Sequence, residues 1–242
     1  MKNTNPTKAE KILDLDYTEE DKIWLSNQDT LRKLVGILGV LLPILLFVFL
    51  FIDTNYASPL ESISHYYYTR VCGVFMIVVS LLAIFLLIYK GEEPIDFYIS
   101  FIAGIFALFV ILFPTSNITT ICSDPEKRYS VTLLNVSDFR FHFHYTAAAI
   151  FLLCLAFMSL FLFTKSKKPP EKRTPKKKLR NKIYRVCGVI MVLALLVIFI
   201  GFLRIINDDF YTKHHLTFWM ESLAIESFGI SWLTKSELFF KD

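Results

Sequence analysis

Little in this sequence speaks for a soluble catalytic domain. It has no Gly-rich phosphate loop, no Cys-x-x-Cys pair and no Gly-x-Ser-x-Gly elbow, which removes specific signatures of nucleotide binding, thiol redox chemistry and serine hydrolysis. Cysteine is scarce. Of four, Cys154 and Cys187 fall in or against apolar runs, and Cys72 and Cys122 could pair only on a shared oxidising side, so spacing writes no disulfide framework. The first 33 residues are polar and charged, without the layout of a cleavable signal peptide, so the first apolar block is expected to insert and stay. Acids nearly vanish from residues 165–185, where eleven Lys and Arg stand against Glu171 alone. No base-stacking aromatic platform accompanies those charges, so nucleic acid is not an expected partner.

What the sequence has instead is apolar length. Of 242 residues 54% are hydrophobic and 24 are Phe, gathered in blocks long enough to cross a bilayer. Six such blocks predict an all-α, six-helix membrane bundle over residues 34–233, with spans at 34–52, 71–89, 95–113, 145–163, 186–203 and 216–233. Pro43 sits inside the first and predicts a kink. Asp96 stands at the edge of the third. Ahead of them, residues 1–33 read as a lead-in. There Thr18 could cap a helix with Glu19, Glu20 and Asp21 in its first turn, and Ile23, Trp24, Leu31 and Leu34 would form an apolar face against the membrane surface. A basic loop at 164–185 and a tail at 234–242 complete the layout.

Charge sets the expected orientation. With the 165–185 block on the cytoplasmic side, six alternating spans place both termini there too. That side then holds 20 of the 26 Lys and Arg. The block is expected to rest on anionic lipid headgroups. Gly36, Gly39, Ala103, Gly104, Ala107 and the run Ala147, Ala148, Ala149 mark predicted helix contacts, because small residues let backbones approach in lipid. Arg70-Val71-Cys72-Gly73 echoes Arg185-Val186-Cys187-Gly188 at the openings of the second and fifth spans. An inverted repeat, a transporter feature, would produce that, as would chance in an apolar background.

The same orientation gathers all five histidines on the other side: His65, His142, His144, His214 and His215. Glu61, Ser62, Ser64, Asp138, Arg140, Asp208 and Asp209 keep them company. Two readings stand. One is a metal or acid–base site, with His65, His142 and His144 as candidate ligands of a zinc ion. The other is amphipathic rings resting at the headgroups. Within the sixth span, Glu221 lies about 7 Å and Glu226 about 15 Å below the outer end at 1.5 Å per residue. A carboxylate at such depth needs a partner, and His144, Arg140 and Arg204 are candidates for Glu221. Ser222 shares a face with Glu226. Asn117-Ile118-Thr119 and Asn135-Val136-Ser137 match the glycosylation sequon, which carries no meaning in a bacterial chain, and the Lys- and Phe-rich style reads as bacterial.

Three stretches carry a resemblance. Pro59-Leu60-Glu61-Ser62-Ile63-Ser64 follows the first span, Leu112-Phe113-Pro114 closes the third, and His144-Tyr145-Thr146-Ala147-Ala148-Ala149 opens the fourth. With Phe228-Gly229-Ile230-Ser231-Trp232-Leu233 near the end, they resemble a set of bacterial six-span membrane proteins that in turn look like the damage-regulated autophagy modulator group. The resemblance covers most of residues 34–233 and implies a membrane protein without an agreed enzymatic activity. A second resemblance, to alkaline ceramidases, would place Ser64 or Ser62, His65, and His142 or His144 around a zinc. That family has seven spans and a His-x-x-x-His pair, where this chain has six and His142-Phe143-His144. The expectation is a non-enzymatic scaffold, sensor or lipid-interacting protein of the bacterial cytoplasmic membrane. A metal-dependent hydrolase acting on lipid at the outer leaflet, with Glu221, His144, His65 and Ser64 as candidate catalytic residues, and a small proton-coupled transporter using Glu221 or Glu226, are the alternatives.

Overall fold

The computed structural model describes residues 28–118, 130–166, 169–238 and 240. Most of the predicted lead-in helix around Thr18, and Cys122, lie outside the described residues. Among them there is no strand, and the chain is built from helices. In order these are α1 (Gln28–Thr54), a 3₁₀ segment (Ile63–Tyr68), α2 (Cys72–Ile88), α3 (Pro94–Leu112) and α4 (Asp138–Phe157). A π turn (Met158–Leu162) prolongs α4, and α5 (Pro175–Phe202), the short α6 (Asp208–Lys213) and α7 (Leu216–Lys235) follow. Among the described residues, four helices are long and apolar enough to cross a membrane: α1, α3, α4 with its π turn, and α5. The apolar α2 is shorter, at 17 residues. α7 is long enough, but Glu221, Glu226 and its serines dilute its hydropathy.

The six long helices form a closed ring. Each packs on its sequence neighbour, α5 passes over α6 to pack on α7, and α7 returns to α1. Small residues set the closest approaches. A Cβ on Gly36 would lie 2.6 Å from Leu233 and 2.9 Å from the Gly229 carbonyl, and one on Gly229 would lie 2.7 Å from the Gly36 carbonyl. One on Gly104 would lie 2.8 Å from the Ala83 carbonyl of α2. Ala103, Ala107 and Ala147 are buried as expected, whereas Ala149 is exposed, since three consecutive residues cannot share one helix face.

Several helices start earlier than hydropathy suggests, because capping rather than apolarity sets a helix start. The basic stretch is a loop only in its first half. Thr174 accepts a hydrogen bond from Lys177 N (3.1 Å), Pro175 occupies the first turn, and the helix runs through the Lys and Arg residues before the apolar block begins. Ser137 likewise caps α4 by accepting from Arg140 N (3.3 Å). α1 continues through Pro43 as one helix. The echo at Arg70 and Arg185 falls in unlike places. The first copy leads into α2 with nothing packed on Gly73, while the second lies inside α5 with Gly188 against Leu160.

The ring has two different ends. At one, which carries the basic stretch, Lys165 meets Glu93 (2.6 Å) and Asp96 (3.0 Å), Lys235 meets Glu92 (3.5 Å), and Arg180 meets Glu237 (3.1 Å). Asp96 also accepts from the N–H groups of Glu92 (2.9 Å) and Glu93 (3.1 Å), so the acid at the edge of the third span is a helix cap. Beneath these pairs the rings of Tyr89, Phe163, Tyr184, Phe228 and Trp232 pack on one another and close the interior. All five histidines lie at the opposite end.

Candidate functional site at the histidine end

The site is organised by the 3₁₀ segment, which is buried although it is neither a long helix nor a strand. Buried irregular backbone must find partners for its polar groups. His65 N donates to Ser62 O (3.2 Å), Thr69 N donates to Tyr66 O (3.2 Å), and Thr69 Oγ1 donates to the same carbonyl (2.8 Å). The first N–H of the segment, on Ile63, has no carbonyl four residues back. It donates to Glu221 Oε2 at 2.7 Å. The partner of Glu221 is thus a backbone amide rather than His144, Arg140 or Arg204. A side-chain pattern does not show which backbone donor will be left over.

His144 is buried, and its Nδ1 lies 2.8 Å from the carbonyl oxygen of Phe113. A carbonyl only accepts, so Nδ1 carries the proton, and the ring ties the start of α4 to the end of α3. Two stretches singled out in the sequence, Leu112-Phe113-Pro114 and the one opening at His144, therefore touch. Tyr68 reaches the same corner, donating its hydroxyl to the Thr115 carbonyl. Asn117 braces the crossing by exchanging two hydrogen bonds with the backbone of Leu134, at 2.7 and 3.0 Å.

His65 is buried as well. Its Nδ1 is 2.7 Å from Ser62 Oγ, and its Nε2 is 3.5 Å from Glu61 Oε2, at salt-bridge range but without hydrogen-bond geometry. Burial lowers its pKa from the ordinary value of 6.5, against the opposing pull of Glu61. The ring is therefore neutral at pH 7. With Nε2–H turned to Glu61, Nδ1 accepts the Ser62 hydroxyl proton. Ser62, not Ser64, is the serine that meets a histidine, because Ser64 points to the other side of the segment.

A cavity lies on each side of this segment. The polar one, about 110 Å³, is lined by Glu61, Ser62, His65, Tyr145, Tyr211 and His215, among others. The apolar one, about 50 Å³, lies inside the ring among Ile63, Ser64, Phe75, Ala148, Phe151 and Glu221. Glu221 is half-buried and lines the inner cavity rather than the polar one. His215 holds a left-handed backbone (φ 49°) at the start of α7, and its Nδ1 is buried without a partner among the described residues. Thr217 Oγ1 donates to the Tyr211 hydroxyl (3.0 Å), fixing that ring in the cavity wall.

The remaining candidates stand apart. His142 is exposed, and its Nδ1 bonds the Asp138 carbonyl of its own helix (2.8 Å), one turn back and facing away from His144. Its i+2 spacing on a helix forbids a shared face with His144. His214 is exposed against Phe210, and Asp208 and Asp209 are exposed on α6. Glu226 sits beside the exposed stripe of Trp219, Leu223 and Ile230, away from both cavities. Among the described residues, no three of His, Cys, Asp and Glu come together as a metal ion would need. Tyr145 and Tyr211 are not singled out as site residues from sequence, and His215 stands there only as one of the five clustered histidines. Their lone signal is a polar or amphipathic side chain at the end of an apolar helix, which interface residues share.

Comparison of the chain with protein-family models, with curated proteins and with solved structures finds no match.

Proposed function

We propose that the protein is a six-span integral membrane protein of the cytoplasmic membrane, with both termini inside. In this reading it is a non-enzymatic, lipid-interacting protein whose outward mouth receives a small polar headgroup. The observation that carries this is the pair of imidazole nitrogens in the polar cavity. His215 Nδ1 is buried there without a hydrogen-bond partner among the described residues, and His65 Nε2 has only Glu61 Oε2, at 3.5 Å and outside hydrogen-bond geometry. Buried polar atoms are seldom left so, and a cavity lined by unpaired donors and acceptors is the usual form of a small-ligand site. The resemblance to six-span proteins of the autophagy-modulator type points the same way, since it implies a membrane role without fixed catalysis. Counting α2 and α7 as spans rests on the closed ring, in which both lie between helices long enough to cross.

Mass-spectrometric analysis of lipid bound to the protein tests the reading. One headgroup class should be enriched over the surrounding membrane, and His65→Phe with His215→Phe should abolish that enrichment while leaving the protein folded. Bound lipid matching the bulk composition would refute it.

One observation favours a second reading, a lipid hydrolase. Ser62, His65 and Glu61 stand in line as nucleophile, base and acid. That reading needs no metal. It predicts labelling of Ser62 by a fluorophosphonate probe and loss of labelling in His65→Gln. The Arg70 and Arg185 echo does not favour the transporter reading, since its two copies sit in unlike settings.

A further inference from the structure

The strongest feature outside that site lies at the opposite end of the ring, in the basic stretch expected to rest on anionic headgroups. The first turns of α5 and the segment before them enclose a groove of about 560 Å³, lined by Glu171, Arg173, Lys178, Asn181, Lys182, Arg185 and Val186. Four cations face one acid, a field that selects an anion. Lys178, Lys182 and Arg185 follow one another at spacings of four and three, so they share one face of the helix. The same face continues downward through Val186, Val189, Leu193 and Leu196, each about half exposed. From Val186 to Leu196 this strip runs about 15 Å at 1.5 Å per residue, half of a hydrocarbon core of about 30 Å. A cationic slot therefore sits directly on an apolar rail, the shape complementary to one phospholipid with its phosphate above and its acyl chain below.

Asn181 narrows the headgroup. It is 7% exposed, and its Nδ2 donates to the Thr164 carbonyl at 3.1 Å. That carbonyl can only accept, so the amide orientation is set; Asn181 lines the groove, and its buried Oδ1 has no partner among the described residues. A cluster of cations holds a phosphate, and an acceptor beside it wants a hydroxyl donor. We propose that this groove binds an anionic phospholipid whose headgroup carries a free hydroxyl, of the phosphatidylglycerol type. Its phosphate meets Arg173, Lys178, Lys182 and Arg185, its hydroxyl meets Asn181, and its acyl chain lies along α5. Basic pockets at the cytoplasmic ends of spans recognise such lipids by the same electrostatics. The site does not depend on the function proposed for the histidine end.

The test uses the full chain in nanodiscs of phosphatidylcholine doped with phosphatidylglycerol or phosphatidic acid, read by native mass spectrometry and thermal midpoint. Phosphatidylglycerol should bind selectively over phosphatidylcholine and raise the midpoint more than phosphatidic acid does. The variant carrying Lys178→Gln, Lys182→Gln and Arg185→Gln, all at exposed positions, should bind it at least about tenfold more weakly with an unchanged midpoint in phosphatidylcholine alone. Equal affinity in wild type and variant would overturn the site. Equal effects of the two anionic lipids would overturn the role of Asn181. A midpoint rise of the same size from soluble glycerol phosphate, without anionic lipid, would overturn the lipid as the occupant.

Discussion

The two ends of the ring solve the same problem, how to keep polar groups inside a membrane-sized bundle, in opposite ways. At the basic end charged side chains pair with one another. Lys165 takes two carboxylates, Lys235 and Arg180 take one each, and below them five aromatic rings close the interior. At the histidine end two buried polar groups are bonded to backbone, Glu221 to the Ile63 amide and His144 to the Phe113 carbonyl, while His65 meets the Ser62 side chain. Pairing side chain to side chain fills space. Pairing side chain to backbone fixes a loop in place and leaves space beside it, and both cavities of the histidine end adjoin a loop held that way. One end reads as a seal and the other as a receptacle.

The difference can be broken experimentally, most severely at the seal. Trp232→Ala should cost about 3–5 kcal/mol, since a fully buried indole leaves a cavity among rings that cannot collapse. Thermal unfolding in detergent reads the loss, and a change under about 1 kcal/mol would show that the plug is not the packed element described. Glu221→Leu strands the Ile63 amide and should cost about 2–3 kcal/mol, while Glu221→Gln, which keeps an oxygen acceptor, should recover most of that. Equal losses in the two variants would mean that the negative charge, rather than the hydrogen bond, matters. Lys165→Ala should cost about 1–2 kcal/mol, because Asp96 is buried but keeps two backbone donors.

Smaller effects sharpen the contrast. Ala148→Val adds volume into the apolar cavity and should cost less than about 1 kcal/mol, whereas Gly229→Val meets the Gly36 carbonyl and should cost more than about 2. A mild response at both positions would erase the distinction between a filled region and a hollow one. The weakest expected effect is on pH. Burial holds His65 below 6.5, so the unfolded chain takes up that proton first, and stability should fall as pH drops below 6.5. His65→Asn should flatten part of that slope. An unaltered slope would mean that His65 does not titrate on unfolding in this range.

Hydropathy and charge made the helices and their two ends legible before any coordinates. The six apolar blocks correspond to six long helices, and placing all histidines at one end follows from alternation alone. Boundaries were less legible, because Thr174, Pro175 and Ser137 start helices through hydrogen bonds that hydropathy ignores. At the site, Glu221, His144 and His65 were visible as costly polar groups near apolar runs. Their partners were not, since Ile63 N and Phe113 O are backbone atoms and carry no side-chain signature. Ser62 was harder to separate from Ser64, because the choice depends on which side of a short 3₁₀ turn faces the polar cavity.

The claim beneath the whole account is that the two ends face opposite sides of one membrane, the basic end inward. With the four cysteines replaced by serine, single cysteines at Lys176 and Val136, both exposed, can be probed in intact cells with a membrane-impermeant maleimide. The account predicts that Val136→Cys is labelled at once and Lys176→Cys only after lysis. Labelling of Lys176→Cys in intact cells would contradict it.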